Sequence, residues 1–371
     1  MSKSNGVSVG RKIAYGIGSV AFGVKNNGFD YFFLIFYSQV MGVSAYLVSL
    51  AIMIALMVDA LSDPLIGYLS DNTRSRWGRR HPFMYAAAVP AAVAYYFVWN
   101  PPAGLEGDAL FPYIVTIAVL VRTLITVYEI PSSSLVAEMT DDYDERTSML
   151  SYRYFFGWTG GTLMGAFATI FVLVPTASIS NGMFNVEGHG QVGTIAATVI
   201  FLAIMASALG THKMIPELKQ PPPPRAFSLR LIYQEVFETL ASKSFLALFL
   251  AALFGAIATG VAATLSYYFS TFFWGFSTEQ IGLISLSVVL SAVLAFMISP
   301  AISRRLGKKR GAITVGLLAF TVSPAPILLR LMGLMPDNSD PMLFPLILMI
   351  TVVDVALIIS YQTLSTAMIA D

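Results

Sequence analysis

The sequence has no cysteine, little charge and few histidines. Charged residues make up 12% of its 371 residues, about half of the roughly 25% that is typical of soluble domains. The net charge of +1 leaves no basic excess that could hold a nucleic-acid backbone. Without cysteine the chain forms no disulfide and no cysteine-ligated metal site, and its three histidines lie far apart in sequence. These absences exclude nucleic acid as the main partner and argue against a water-soluble fold.

The sequence has long apolar runs instead. Hydrophobic residues make up 56% of the chain and fall into ten blocks, each near the roughly 20 residues that a helix needs to cross a bilayer. Strands of a membrane barrel would alternate apolar and polar residues, which these blocks do not do. The predicted fold class is therefore an all-α integral membrane bundle. We number the blocks spans 1 to 10; they cover residues 13–39, 44–70, 82–99, 111–136, 153–174, 193–211, 246–272, 281–301, 312–332 and 342–368.

The cations are distributed unevenly between the two sets of loops. Every Lys and Arg lies before span 1 or in a loop after an even-numbered span, except Lys25, Arg122, Arg153 and Arg330. Loops that face the cytoplasm carry the excess of Lys and Arg in membrane proteins. Both termini are therefore predicted to be cytoplasmic.

The longest polar stretch, His212 to Lys243, separates spans 6 and 7. It holds the run Pro221 to Pro224, which is stiff and cannot be helical. We predict an N-terminal six-helix bundle at 1–211, a cytoplasmic linker at 212–245 and a C-terminal bundle of four helices at 246–371. Within the linker, four apolar residues at helical spacing predict a short interfacial helix: Leu229, Ile232, Val236 and Leu240.

Two short segments recur at nearly the same offset. Arg76 to Arg80 matches Arg305 to Lys309, and Ser134 to Glu138 resembles Ala367 to Asp371. A six-helix unit repeated in parallel would produce this pattern. By that register we expect the second unit to stop after its fourth helix, which would leave two helices of a twelve-helix plan missing from the end. We expect coupled transport to need those two helices.

Span 2 carries two carboxylates within an otherwise apolar run. Asp59 and Asp63 are one helical turn apart and so share a face. An insertion scale puts each charge at the centre of a span at a cost of about 2.5 to 3.5 kcal/mol, so such groups are functional candidates. Two like charges repel at this spacing, and the pair either shares a proton or binds a small cation such as Na⁺. The alternative is that both carboxylates lie at a helix end in cytosolic water.

Further polar residues lie within spans 1, 4 and 5. Span 4 presents Arg122, Thr126 and Glu129 as one stripe, with Pro131 predicted to break the helix just beyond. Arg153 begins span 5. Span 1 adds four polar residues near its middle: Lys25, Asn26, Asn27 and Asp30. If these residues face one polar cavity, its four carboxylates exceed its three cations, and one monovalent cation would neutralise it.

Small residues and missing motifs complete this picture. Gly157, Gly161 and Gly165 form a stripe along span 5 that predicts close helix packing.

We find no nucleophile with a paired base and no metal-ligand set, so an enzyme is not expected. No cofactor is expected beyond a coupling ion, Na⁺ or H⁺.

The run from Asp59 to Gly67, followed by the run from Asp71 to Arg80, resembles the glycoside-pentoside-hexuronide:cation symporters, the melibiose-carrier group of the major facilitator superfamily. The resemblance extends from Tyr15 to the chain end. It implies two pseudo-symmetric bundles that rock about a central site and couple a sugar to Na⁺, Li⁺ or H⁺.

The same resemblance implies roles for individual residues. Cation-binding positions are Asp59, Asp63, Ser62 and Thr126. Sugar-binding positions are Glu129 and Arg153, and we add Lys25, Asn26, Asn27, Asp30 and Arg122 as candidate substrate contacts. The sequence of a cytoplasmic gate is matched by Asp71, Arg79 and Arg80.

Two departures from the melibiose carrier bear on the substrate. Gly23 stands where that carrier has a sugar-binding carboxylate, and Ser133 stands where it has a tryptophan. A galactoside is therefore not implied. We predict a monomeric symporter of the bacterial inner membrane that carries a carbohydrate or a related small molecule and contacts membrane lipid. Two alternatives remain open: a carrier of an amphipathic substrate such as a lysolipid, and a truncated, non-transporting membrane protein.

Overall fold

A computed structural model describes residues 7–218 and 243–369, in which all regular structure is helical. Spans 1 to 6 correspond to α1 (Val9–Ile17), α2 (Ser19–Asn27), α3 (Phe33–Ile35), α4 (Ala45–Asn72), α5 (His81–Trp99), α6 (Phe111–Met139), α7 (Tyr143–Phe167) and α8 (Val186–His212). Spans 7 to 10 correspond to α9 (Lys243–Tyr268), α10 (Thr278–Leu306), α11 (Lys308–Val322), α12 (Ala325–Leu331) and α13 (Leu343–Ile369).

The predicted spans are present as helices. Within the described residues, nine helices are long and apolar enough to cross a membrane, and they correspond to spans 2 to 10. Span 1 is not among the nine, because it is a succession of short helical segments with polar residues near its middle. Two of those segments are π-helical turns, at Gly28–Phe32 and Phe36–Val40. Single π-helical turns inside α-helices often occur at functional sites.

Internal prolines do not end α4, α5 or α6. α4 runs through Pro64, and α6 continues through Pro131 to Met139, so the predicted break at Pro131 is wrong. A helix persists in hydrocarbon because its backbone groups have no water to bind. Beside Pro131, the hydroxyls of Ser133 and Ser134 donate to the Ile130 carbonyl at 2.9 and 3.0 Å.

Glycines bring α2 and α7 into backbone contact. A Cβ added at Gly23 would lie 1.9 Å from the Gly157 carbonyl oxygen, and one at Gly161 would lie 2.6 Å from the Gly23 oxygen. The predicted close packing of Gly157 and Gly161 is therefore confirmed. It also explains the departure at position 23, since that position faces another backbone and has no room for a carboxylate.

The chain divides into two compact units. The first comprises the described residues of Met1–Gly161 and His189–Tyr268. Within it, α4 and α5 both pack against α6, so α6 is central. Tyr15 and Tyr128 are among its fully buried side chains.

The second unit comprises the described residues of Thr162–Gly188 and Phe269–Asp371. In this unit α13 packs against α10 and α11. A small core of Ala312, Val315 and Leu364 lies between α11 and α13.

Several predictions fall on residues outside the described ranges. These are the proline run at 221–224, the interfacial helix at 229–240 and the last two residues of the second repeat match. The division into domains at 212–245 therefore stays a prediction.

Candidate functional site

Asp59 and Asp63 of α4 lie opposite Arg122 and Thr126 of α6. Each pair is one helical turn apart, so two packed helices present them to each other turn by turn. Arg122 donates to Asp59 Oδ2 from Nε at 2.8 Å and from Nη2 at 2.7 Å. Thr126 Oγ1 donates to the other oxygen, Asp59 Oδ1, at a longer 3.4 Å. We call these four residues the span cluster.

The two carboxylates of the span cluster differ in their partners. Asp59 has donors on both oxygens, whereas Asp63 Oδ1 is buried and has no hydrogen-bond partner among residues 7–218 and 243–369. The Thr126 hydroxyl lies beside the Asp63 carboxyl, and Asp59 acts on that carboxyl through its charge. Ser62, predicted beside this site, turns its hydroxyl to the Asp59 backbone carbonyl at 3.2 Å. The cluster therefore retains one carboxylate oxygen that no described donor satisfies.

Glu129 and Arg153 form a second pair, between α6 and α7. Arg153 Nη2 pairs with Glu129 Oε1, and Arg153 Nη1 donates to Ser132 Oγ at 3.2 Å. The approach of Glu129 and Arg153 that the sequence predicts is present. Arg153 is only 7% exposed and stacks over the Tyr15 ring, 5.7 Å from its centroid. Glu129 Oε2, in contrast, has no hydrogen-bond partner within the described part of the chain.

The polar residues of span 1 behave differently from one another. Lys25 is 4% exposed and makes no ion pair with any described residue, although its ammonium lies 4.8 Å from the Phe22 ring centroid. Asn26 and Asn27 are half-buried. Asp30 is exposed, so its burial in the cavity is not seen, although Lys25 still acts on it electrostatically. The binding roles of these residues stay predictions.

The predicted gate residues meet at the ends of α4, α5 and α6. Arg79 Nε and Arg80 Nε both donate to Glu138 Oε1, at 2.7 and 2.8 Å. Arg80 also pairs with Asp71 and donates to Ser70 Oγ at 2.5 Å. We call Asp71, Arg79, Arg80 and Glu138 the loop cluster.

Sequence reasoning missed some of these contacts. Glu138 is 4% exposed and receives two arginines, yet it entered only as part of a repeat match. The sequence predicted Arg122 as a substrate contact, whereas in the structure it bonds Asp59, one of the two aspartates predicted to bind the cation. The sequence pattern could have predicted this contact in part, because Arg122 shares a face of α6 with Thr126, which was predicted to lie at the cation site.

Asp59 and Asp63 belong to no larger group of possible metal ligands in the described part of the chain. Among the described residues, no group of three or more His, Asp or Glu side chains could hold a metal ion. His81 and His212 do approach each other, with ring centroids 5.9 Å apart, although they lie far apart in sequence. The His81 Nε2 atom is already engaged, since it lies 3.0 Å from Thr211 Oγ1.

Comparison with known proteins identifies the family. A family model described as MFS/sugar transport protein matches residues 14–371. The inner membrane symporter YicJ of Escherichia coli is 28% identical over 236 residues, which cover 64% of this chain and 49% of YicJ. The isoprimeverose transporter of Lactiplantibacillus pentosus is 26% identical over 209 residues, which cover 55% of this chain and 42% of that protein. The chain thus spans less than half the length of both relatives, and the predicted resemblance is confirmed.

A more distant relative and a solved structure complete the comparison. The sodium-dependent lysophosphatidylcholine symporter 1 of the mouse is 26% identical over 155 residues, which cover 41% of this chain and 29% of that protein. The crystal structure of a D-xylose-proton symporter superposes with a TM-score of 0.58 at 16% identity, covering 97% of this chain and 86% of that one. This likeness shows the fold, a helical membrane bundle of the major facilitator type.

Proposed function

The chain belongs to the MFS/sugar transport protein family, and on that premise we propose that it carries a sugar or sugar-like solute across a membrane together with a cation. Transport proceeds by alternating access, in which two bundles rock about one central site. The cation and the solute bind at neighbouring positions along α6.

One observation carries this proposal: a single face of α6 serves both positions. Thr126 faces the aspartates of α4, and Glu129, three residues later, faces Arg153 of α7. A shift of α6 therefore changes both sets of contacts together. Binding at one position then alters affinity at the other, which is the coupling that symport requires.

The span cluster supports a role for the cation. Asp63 offers a buried, unpartnered carboxylate oxygen beside the Thr126 hydroxyl. Oxygen atoms of this kind bind small hard cations, and a carboxylate also binds a proton. In this proposal the coupling ion is Na⁺ or H⁺.

The Glu129 and Arg153 pair supports a role in solute binding. Glu129 Oε2 accepts hydrogen bonds, and the Arg153 guanidinium presents several donors in a fixed fork. Neighbouring hydroxyls of a sugar each donate and accept, so they complement such a pair. Buried Lys25 interacts electrostatically with Glu129, and Asn26 and Asn27, which follow it on α2 and are half-buried, are included as further donors.

The proposal includes a location. The protein lies in a bacterial inner membrane with both termini in the cytoplasm, as the distribution of Lys and Arg predicts. The similarity to an Escherichia coli inner membrane symporter supports the same membrane. It acts as a monomer and needs no cofactor besides the coupling ion.

The test is gradient-driven uptake. Membrane vesicles are prepared from a host that lacks its own sugar symporters and expresses the gene that encodes this chain. Pentoses, hexoses, their glycosides and lysophosphatidylcholine are offered as labelled substrates with an inward Na⁺ gradient, an inward H⁺ gradient or no gradient. We expect one of the sugars to accumulate above its outside concentration only when a gradient is imposed and only when the two further apolar spans that the repeat register predicts are supplied with the chain.

Two results would contradict the proposal. Movement of lysophosphatidylcholine without any of the sugars would favour a lipid carrier, which the similarity to lysophosphatidylcholine symporters supports as the second candidate. The absence of transport for every substrate, with the protein folded in the membrane, would favour a non-transporting role.

A further inference from the structure

Arg122 occupies the place at Asp59 that an external cation would take. Two of its nitrogens, Nε and Nη2, approach one carboxylate oxygen, Asp59 Oδ2, at 2.8 and 2.7 Å. Both side chains are largely buried, with 13% and 15% of their surface exposed. The guanidinium also lies over the ring of Phe29, in the π-helical turn Gly28–Phe32 of span 1, 5.9 Å from its centroid. This is an internal ion pair between packed helices.

An alkali cation and a guanidinium compete for the same carboxylate. Na⁺ binds oxygen lone pairs, and here the lone pairs of Asp59 Oδ2 receive two N–H groups while Oδ1 receives the Thr126 hydroxyl. The guanidinium also repels a second cation at close range. Lys25, buried nearby and coupled electrostatically to Arg122 and Asp59, adds a further positive charge.

We propose that Arg122 is a tethered cation that determines ion selectivity by excluding Na⁺ and Li⁺ from Asp59. In the described arrangement, Asp59 is neutralised from within the protein, and Asp63 alone of the two aspartates retains an unpartnered oxygen. One carboxylate and one hydroxyl are fewer oxygen ligands than an alkali cation requires. The inference rests on the proposed cation-coupled transport, because it assigns ion selectivity to the same site.

The test measures binding of ²²Na⁺ to purified protein and needs no transport substrate. Four proteins are compared: wild type, Arg122→Gln, the double variant Arg122→Gln with Asp59→Asn, and Arg11→Gln. Arg11 is the matched control, because it also pairs with a carboxylate, Glu217, at 2.7 Å, but on the exposed surface. The substitution Arg11→Gln frees the Glu217 carboxylate and removes one positive charge, and it leaves the span cluster unchanged.

We expect Arg122→Gln to bind Na⁺ at least about tenfold more tightly than wild type. The gain should disappear in the double variant, because the freed ligand is Asp59. Arg11→Gln should bind Na⁺ as weakly as wild type. Equal binding by wild type and Arg122→Gln would overturn the inference, and so would a gain that survives the loss of Asp59.

A second arm keeps the inference falsifiable if Arg122→Gln does not fold. The variant Arg122→Met, which keeps the apolar stem of the side chain and removes its charge, should show the same gain in Na⁺ binding over wild type. Equal Na⁺ binding by Arg122→Met and wild type would overturn the inference. Failure of the proposed function has a different signature, because sugar uptake would then be absent while the pattern of Na⁺ binding across these variants still held.

Discussion

Two charged clusters of the same unit differ in how completely their polar atoms are satisfied. In the loop cluster, one buried carboxylate oxygen of Glu138 receives two arginines, and Arg80 also bonds Asp71 and Ser70. In the span cluster and the neighbouring Glu129 and Arg153 pair, Asp63 Oδ1 and Glu129 Oε2 have no described partner. Both clusters pair carboxylates with arginines, but among the described residues only the loop cluster has no buried carboxylate oxygen without a partner.

This difference distinguishes charged residues that stabilise the fold from charged residues that bind a ligand. A buried polar atom without a protein partner costs free energy unless a water molecule or a ligand satisfies it, so such an atom beside a candidate site is a candidate for binding. The loop cluster should therefore hold helix ends together, and the span cluster should bind. Changes in the first are expected to reduce stability, and changes in the second to reduce transport.

The largest expected effect is on stability, from Glu138→Gln. Arg79 and Arg80 would lose the charge that they share while remaining largely buried. Breaking a buried ion pair from one side costs about 3–5 kcal/mol of unfolding free energy. The measurement is the thermal unfolding midpoint of purified protein in detergent. An unchanged midpoint would show that the loop cluster does not hold the helix ends.

A smaller effect is expected from Arg153→Lys. Lysine is a point charge, so it cannot bond Ser132 and Glu129 in the fixed geometry of the guanidinium. We expect the KM for gradient-driven sugar uptake to rise about tenfold while the unfolding midpoint stays the same. Arg146→Lys is the control, because Arg146 lies on the same helix and is paired with exposed Asp141. Equal KM values for both variants would remove Arg153 from the binding site.

The smallest effect is expected from Glu217→Gln. This change breaks the pair with Arg11, in which both side chains are exposed, at 57% and 41% of their surface. Exposed pairs contribute about 0–1 kcal/mol, so both the unfolding midpoint and the KM should stay close to those of wild type. A loss of stability comparable to that of Glu138→Gln would show that burial does not distinguish the two kinds of pair.

Hydropathy and charge spacing were sufficient to predict most of the fold. The apolar runs predicted spans 2 to 10 because a bilayer requires a minimum length of apolar helix, a property that a single segment carries by itself. The small-residue stripe predicted that α7 packs closely. Its partner, Gly23 on α2, was not predictable, because no local pattern records which helix lies opposite.

The candidate site was predictable only in part, for the same reason. The stripe of Arg122, Thr126 and Glu129 follows from helical spacing, but the pairing of Arg122 with Asp59 depends on how far α6 is shifted along α4. Glu138 was missed because it lies at a helix end, where a charge normally meets water. Its burial arises only when Arg79 and Arg80, from the loop between α4 and α5, close over it.

The wrong expectation at Pro131 has a different origin. Proline weakens a helix because it has no N–H to bond the carbonyl four residues back and its ring clashes with that carbonyl; in water the chain can leave the helix and hydrogen-bond solvent instead. In α6 the surroundings are apolar, and two serine hydroxyls bond the neighbouring Ile130 carbonyl. Local sequence therefore predicted a break where the environment favours continuity.

The central claim is that the open carboxylate of Asp63 couples the cation to solute movement. It is tested most directly by comparing two modes of sugar transport in vesicles that contain wild type or Asp63→Asn. The account predicts that the variant exchanges labelled for unlabelled sugar across the membrane but no longer accumulates it when a Na⁺ or H⁺ gradient is imposed. Accumulation by Asp63→Asn equal to that of wild type, under the same gradient, would contradict it.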